Sequence, residues 1–193
     1  MNKPKEKVLY ITGLHGSAEK GLGLFLKSEG YLHGAIEMNT AFTSIRFTRQ
    51  LEKVEQRLID YRNEGGRKII ANSFGAYLLL QVLCRNQSLS IFDVLLISPV
   101  LGATNLGTLG RIPPQANKLK FDLLCGKHKH NSLAIIAGSD DLVINWTLIG
   151  YMKAADEEIN LHFCNGEGHQ ISPEYLQKFI RGWVKNEIDF YSS

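Results

Sequence analysis

Cysteine is scarce in this 193-residue chain: Cys84, Cys125 and Cys164 are odd in number and widely spaced. That argues against a disulfide framework or a cysteine-ligated zinc site, and it suits a reducing, cytoplasmic location. Long apolar runs are missing as well. The longest are the size of a strand or a helix, so no membrane span is expected. Residues 1–7 are charged, but the apolar run that follows covers only residues 8–12 and has no small-residue cleavage site, so no signal peptide is read. A net charge of +3, with no Lys/Arg run interleaved with aromatics, points to neither nucleic acid nor a membrane surface. No internal repeat or low-complexity segment occurs. The Asp, Glu and His residues show no metal-ligand spacing such as His-x-x-x-His. Gly13-x-x-Gly16 is neither a dinucleotide fingerprint nor a P-loop, and no Gly-Lys-Ser/Thr is present. No metal and no organic cofactor is therefore expected.

What is present is an ordinary globular composition, 44% apolar and 21% charged, with length enough for one domain over residues 1–193. Strand-like and helix-like segments alternate. Strands are expected at 7–13, 35–39, 67–72, 92–98, 133–138 and 159–164. Helices are expected at 18–29, 44–63, 75–85, 146–155 and 173–185. The clearest is 44–63, where Leu51, Val54 and Leu58 form one stripe. Ser172 before Pro173 marks the start of the last helix. The strands are apolar throughout rather than alternating. This predicts an α/β fold with a mainly parallel six-stranded sheet covered by helices on both faces. Residues 100–131 break the rhythm with Gly102, Gly107, Gly110, Pro113 and Pro114, and read as an irregular, cap-like insertion. The segment carries Arg111, Lys118, Lys120, Lys127 and Lys129 against Asp122 alone, so it is either a solvated loop or a basic cap favouring anionic substrates.

One stretch carries a chemical signal. The apolar run ending at Ala71-Asn72 meets a second apolar run beginning at Gly75-Ala76, with Ser73-Phe74 between and no loop. A strand turning directly into a helix puts Ser73 at the apex in a strained conformation, which requires small neighbours at 71 and 75. The hydroxyl is pushed out over the sheet edge. The Phe74 N–H falls at a helix start, where negative charge is stabilised.

Ala71-Asn72-Ser73-Phe74-Gly75 resembles the nucleophile elbow of the α/β-hydrolase superfamily, with alanine at the first glycine of Gly-x-Ser-x-Gly. The resemblance covers most of the chain and implies the hydrolase core without its first two antiparallel strands, with a short cap. It also implies a base and an acid in the order Ser, Asp, His. His169, in the Gly-rich loop Asn165–Gln170 before the last helix, stands where the family places its histidine. The family's Gly-x-x-Asp followed by apolar residues selects Asp141 from Gly138-Ser139-Asp140-Asp141-Leu142-Val143, with Asp140 as the alternative. The oxyanion donors implied are the N–H of Phe74 and a second from Thr12-Gly13-Leu14-His15-Gly16-Ser17. Strand length favours Leu14, and the literal His15-Gly16 would select Ser17. The activity implied is serine hydrolysis of an ester or thioester through an acyl-serine, on a small-molecule or carrier-bound acyl substrate. A non-catalytic hydrolase-fold binding protein and a serine acyltransferase are the alternatives.

Overall fold

The structure is a computed structural model and describes residues 6–102 and 112–188. Six strands form one sheet: β1 (Val8–Leu14), β2 (Leu32–Met38), β3 (Lys68–Asn72), β4 (Asp93–Ile97), β5 (Ser132–Gly138) and β6 (Asn160–Cys164). Their order is β2-β1-β3-β4-β5-β6, and all five pairings are parallel. The strand order steps outward from β1 in both directions, so the crevice between β1 and β3 lies where a doubly wound sheet changes direction.

Seven α-helices and a short 3-10 turn at Gln87–Leu89 complete the described fold. The α-helices are α1 (Gly21–Ser28), α2 (Thr40–Thr43), α3 (Phe47–Asn63), α4 (Phe74–Arg85), α5 (Ala116–Leu124), α6 (Trp146–Ala155) and α7 (Pro173–Lys185). Strand side chains alternate between two buried layers, as the pleat demands. Leu9, Ile11, Ile69, Val94, Leu96 and Ile135 pack with α3, α4, α5 and α6. Val8, Tyr10, Ile70, Leu95, Ala134 and Ile136 pack with α1 and α7. Both faces are covered, and that explains why the strands read as continuous apolar runs.

The central helix is α4. Every residue from Gly75 to Cys84 is buried, so the helix is apolar all round rather than amphipathic. Its polar groups are bonded internally: Gln81 Nε2 donates to Tyr77 Oη (3.0 Å), and Tyr77 Oη donates to the Pro114 carbonyl (2.7 Å). Burial raises the Tyr77 phenol to about 12, with the Gln81 bond working against it.

Element boundaries depart from the sequence reading in several places, three of them with a visible cause. The helix expected from residue 18 starts at Gly21, because the preceding turn is held elsewhere. The Ser17 hydroxyl donates to Glu37 (3.0 Å), and the Ala18 N–H donates to the same oxygen (2.7 Å). The expected 44–63 helix is preceded by the separate turn α2, capped by Asn39, whose Oδ1 accepts from the Phe42 N–H (2.9 Å). Within 100–131, residues 103–111 (Gly107, Gly110 and Arg111 among them) lie outside the described residues, and 116–124 form α5. Asp122, a buried residue of α5, accepts through its carboxylate from both Lys118 (2.5 Å) and Lys127 (2.9 Å). Two of the segment's lysines are thereby neutralised within the fold.

The three cysteines are free thiols: Cys84 and Cys164 are buried and Cys125 is exposed. Burial pushes Cys84 up to about 12, helped by the nearby Asp122 charge, and Cys164 to about 11, helped by Glu167. At pH 8 the buried pair then holds roughly one thiolate in a thousand or fewer. A thiol-specific reagent is expected to titrate one cysteine, Cys125, in the native protein and three in denaturant, read by absorbance and peptide mass.

Candidate active site

Ser73 stands between β3 and α4 at φ 50, ψ −115. Positive φ in a non-glycine residue is strained, by about 1–3 kcal/mol, and persists only where the surroundings impose it. Those surroundings are explicit. The Ser73 N–H is held by the Ile97 carbonyl of β4 (2.9 Å), and the Ser73 carbonyl accepts from Ala76 (3.1 Å) and Val100 (3.3 Å). Gly75 allows the turn to close on β1: a Cβ there would lie 2.4 Å from the Thr12 carbonyl oxygen. Gly13 is packed less tightly, since a Cβ on it would meet the Ser73 Cβ at 3.3 Å.

The Ser73 hydroxyl is 3.0 Å from His169 Nε2, and His169 Nδ1 is 2.8 Å from Asp141 Oδ2. An imidazole whose Nδ1 faces a carboxylate keeps its proton there, which leaves Nε2 to accept from the serine hydroxyl. The Asp141 side chain is fully buried, and its second oxygen accepts from the Val143 N–H (2.8 Å). A buried carboxylate fixed on both oxygens holds the ring in one orientation. Asp140 is exposed and accepts from its neighbour's hydroxyl, Ser139 Oγ (2.8 Å). Of the two aspartates, then, Asp141 faces the histidine.

Two loops that are distant in sequence are clamped together to achieve this. The Ser139 N–H donates to the Cys164 carbonyl (3.0 Å) and the Asp140 N–H to the Glu167 carbonyl (2.9 Å). The Gly166 N–H donates back to Ser139 Oγ (2.9 Å), and Glu167 Oε2 accepts from the Ser172 N–H (2.9 Å) at the head of α7. The histidine loop passes so close over Gly138 that a Cβ there would lie 2.1 Å from the Glu167 carbonyl oxygen and 2.4 Å from that of Gly168. Sequence reasoning took Gly138 only as part of the aspartate pattern. Its second role, and those of Ser139 and Glu167, depend on a neighbour some 28 residues away, as His169 is from Asp141.

The oxyanion candidates are placed differently. Leu14 ends β1, is 54% exposed and lines the cavity beside Ser73 and His169. Ser17, whose hydroxyl bonds to Glu37, does not line that cavity. Phe74 is the first residue of α4, so its N–H belongs to the turn that lacks intrahelical acceptors. The cavity measures about 530 Å³ and is lined by Leu14, Leu22, Ile97, Ile171 and Leu176, with Asn72, Gln170 and Gln177 as polar groups. Among the described residues its lining contains no Lys or Arg.

A parallel doubly wound sheet with a strained serine between its third strand and following helix, and a histidine before its last helix, defines a class of fold. The chain has the α/β-hydrolase fold, as the solved structures it resembles make plain. A monoacylglycerol lipase from Paleococcus ferrophilus superposes with a TM-score of 0.68 at 11% identity, over 94% of this chain and 94% of that one. Est1E from Butyrivibrio proteoclasticus gives 0.67 at 12% identity, over 95% of this chain and 89% of its own. A predicted CIB-like hydrolase from Thermoplasma acidophilum gives 0.64 at 15% identity, over 96% and 89%. No protein-family model and no curated protein matches the sequence. Among the described residues no helix is long and apolar enough to cross a membrane.

Gly138→Ala is expected to displace the histidine loop while leaving Ser73 in place. Turnover of an activated ester should fall about 100-fold, and stability should drop by about 1–3 kcal/mol. Steady-state kinetics and a thermal melt check both.

Proposed function

We propose that this protein is a serine hydrolase that cleaves an ester or thioester through an acyl-serine intermediate. The observation that carries the reading is the continuous chain from Ser73 Oγ through His169 to the buried Asp141, at 3.0 and 2.8 Å. A serine hydroxyl becomes a useful nucleophile at neutral pH only when a base accepts its proton as it attacks. In this reading Ser73 attacks the acyl carbonyl and His169 Nε2 takes the proton. Asp141 holds the ring and stabilises the imidazolium. The tetrahedral oxyanion is bound by the N–H groups of Phe74 and Leu14. The His15 N–H donates toward β2, to the Met38 carbonyl (2.9 Å), and strand alternation turns the Leu14 N–H to the opposite side, toward β3 and Ser73. His169 then protonates the leaving group and activates water to release the acid.

The cavity supports a substrate class as well. Its volume of about 530 Å³ and mainly aliphatic lining suit an uncharged acyl group of modest size. This favours a neutral acyl substrate, small or carrier-borne, over the anionic one that the basic segment alone would suggest. A reducing, cytoplasmic setting is part of the proposal, in keeping with three free thiols.

A fluorophosphonate probe is the test. It is expected to label the protein once per chain, and Ser73→Ala should abolish labelling without lowering the melting temperature. Asp141→Asn should reduce ester turnover about 10⁴-fold, whereas Asp140→Asn should leave it within a few-fold of wild type. A folded protein that neither labels nor turns over esters would return the chain to the binding-protein alternative.

A further inference from the structure

At the end of the sheet opposite Ser73, in the segment that leads into β5, two histidines are buried without hydrogen-bond partners. His128 is 2% exposed, and the His130 side chain 5%. No nitrogen of either ring makes a well-aligned hydrogen bond, and the one polar contact is that of His130 Nε2 with Asp156. Lys129 between them is exposed. The rings lie 5.7 Å apart, centroid to centroid. Asp156, at the C-terminal end of α6, completes a cluster: one donor atom from each of the three residues lies within 4.8 Å of the other two. Asp156 Oδ1 accepts from the Glu158 N–H (3.1 Å), which turns Oδ2 toward His130. Oδ2 sits 3.1 Å from His130 Nε2 but off the line of a hydrogen bond.

Buried imidazole nitrogens are normally bonded, and two rings of which both His128 nitrogens and His130 Nδ1 lack any partner call for an occupant. Water can bond such nitrogens, but the donor set is also that of a metal. Two neutral imidazoles and a carboxylate make the three-ligand set of an open zinc site. Burial, and then the neighbouring His130, hold the His128 pKa down to about 4, against the opposing pull of Asp156. Burial also lowers His130, although Asp156 and Glu158 pull the other way. The charges that act on the rings are those of Asp156, Glu158 and Lys129.

We propose that His128, His130 and Asp156 bind one divalent transition-metal ion, zinc for preference, with water in the fourth position. Ligand atoms on a tetrahedral zinc lie roughly 3.3 Å apart, so small side-chain rotations close the cluster. The ion ties the loop entering β5 to the end of α6, which leads into β6. It stabilises that end of the sheet and takes no part in the chemistry at Ser73. Nothing in the spacing of His-x-His and a distant aspartate announces this site, and no metal was expected from the sequence.

The full chain, stripped with a chelator, is titrated with zinc and melted with and without it. One ion per chain is expected. At zinc a hundred times Kd, Tm should rise by about 5–10 °C. Ester turnover should stay unchanged. Cobalt in place of zinc should give the visible bands of a tetrahedral N/O site without thiolate charge transfer. His130→Asn and Asp156→Asn, which keep size and polarity, should each weaken binding about 100-fold or more and abolish the Tm rise. The proposal is overturned by the absence of saturable binding, the result for a water-bridged pair. It is equally overturned by binding that survives both variants, or by binding lost instead in Cys125→Ser.

Discussion

The fold turns on the joint between β3 and α4. No loop separates them, so one residue must reverse the chain, and Ser73 does so at φ 50. That strain is not relieved locally. It is held by the strands on either side: Ile97 of β4 fixes the Ser73 N–H, and the β1 carbonyls press on Gly75 closely enough to exclude any side chain. The helix that leaves the joint is buried on all sides, so it cannot rotate or slide to ease the turn. The hydroxyl at the apex is thus aimed by the packing of the whole sheet rather than by its own rotamer preference.

The other half of the site is assembled by the opposite means. His169 and Asp141 come from two loops with little internal structure, joined by backbone bonds across Gly138 and by the side chains of Ser139 and Glu167. Loops positioned by a rigid sheet are where such geometry can be adjusted without disturbing the core. The rigid joint supplies the serine and the clamped loops supply its partners. Between them lies a cavity whose aliphatic walls come from β1, α1, β4 and the start of α7.

Much of this was readable from sequence, for physical reasons. Strands buried on both faces are apolar throughout, so their positions showed directly, and α6 and α7 begin and end where the pattern indicated. The edge strand β2 was read short, because His33 and Gly34 lie in a partly exposed strand and break the apolar run. The start of α1 was misplaced because a contact with Glu37 on another strand holds residues 17 and 18. Helix α5 was missed because its lysines resemble a solvated loop until Asp122 of the same helix is seen buried and paired with two of the segment's lysines. The same limit applies to the site. Local motifs brought Ser73, Asp141 and His169 forward, but only tertiary structure distinguishes Asp141 from Asp140, since the two differ in what lies across from them.

The central claim is that the strained serine is a working nucleophile. The direct measurement is intact mass of the protein quenched during turnover of a short-chain activated ester, followed by peptide mapping. The account predicts one acyl group per chain, carried on the peptide containing Ser73 and released on further incubation. Ester cleavage with no adduct on that peptide, or with the acyl group on Cys125, would contradict it.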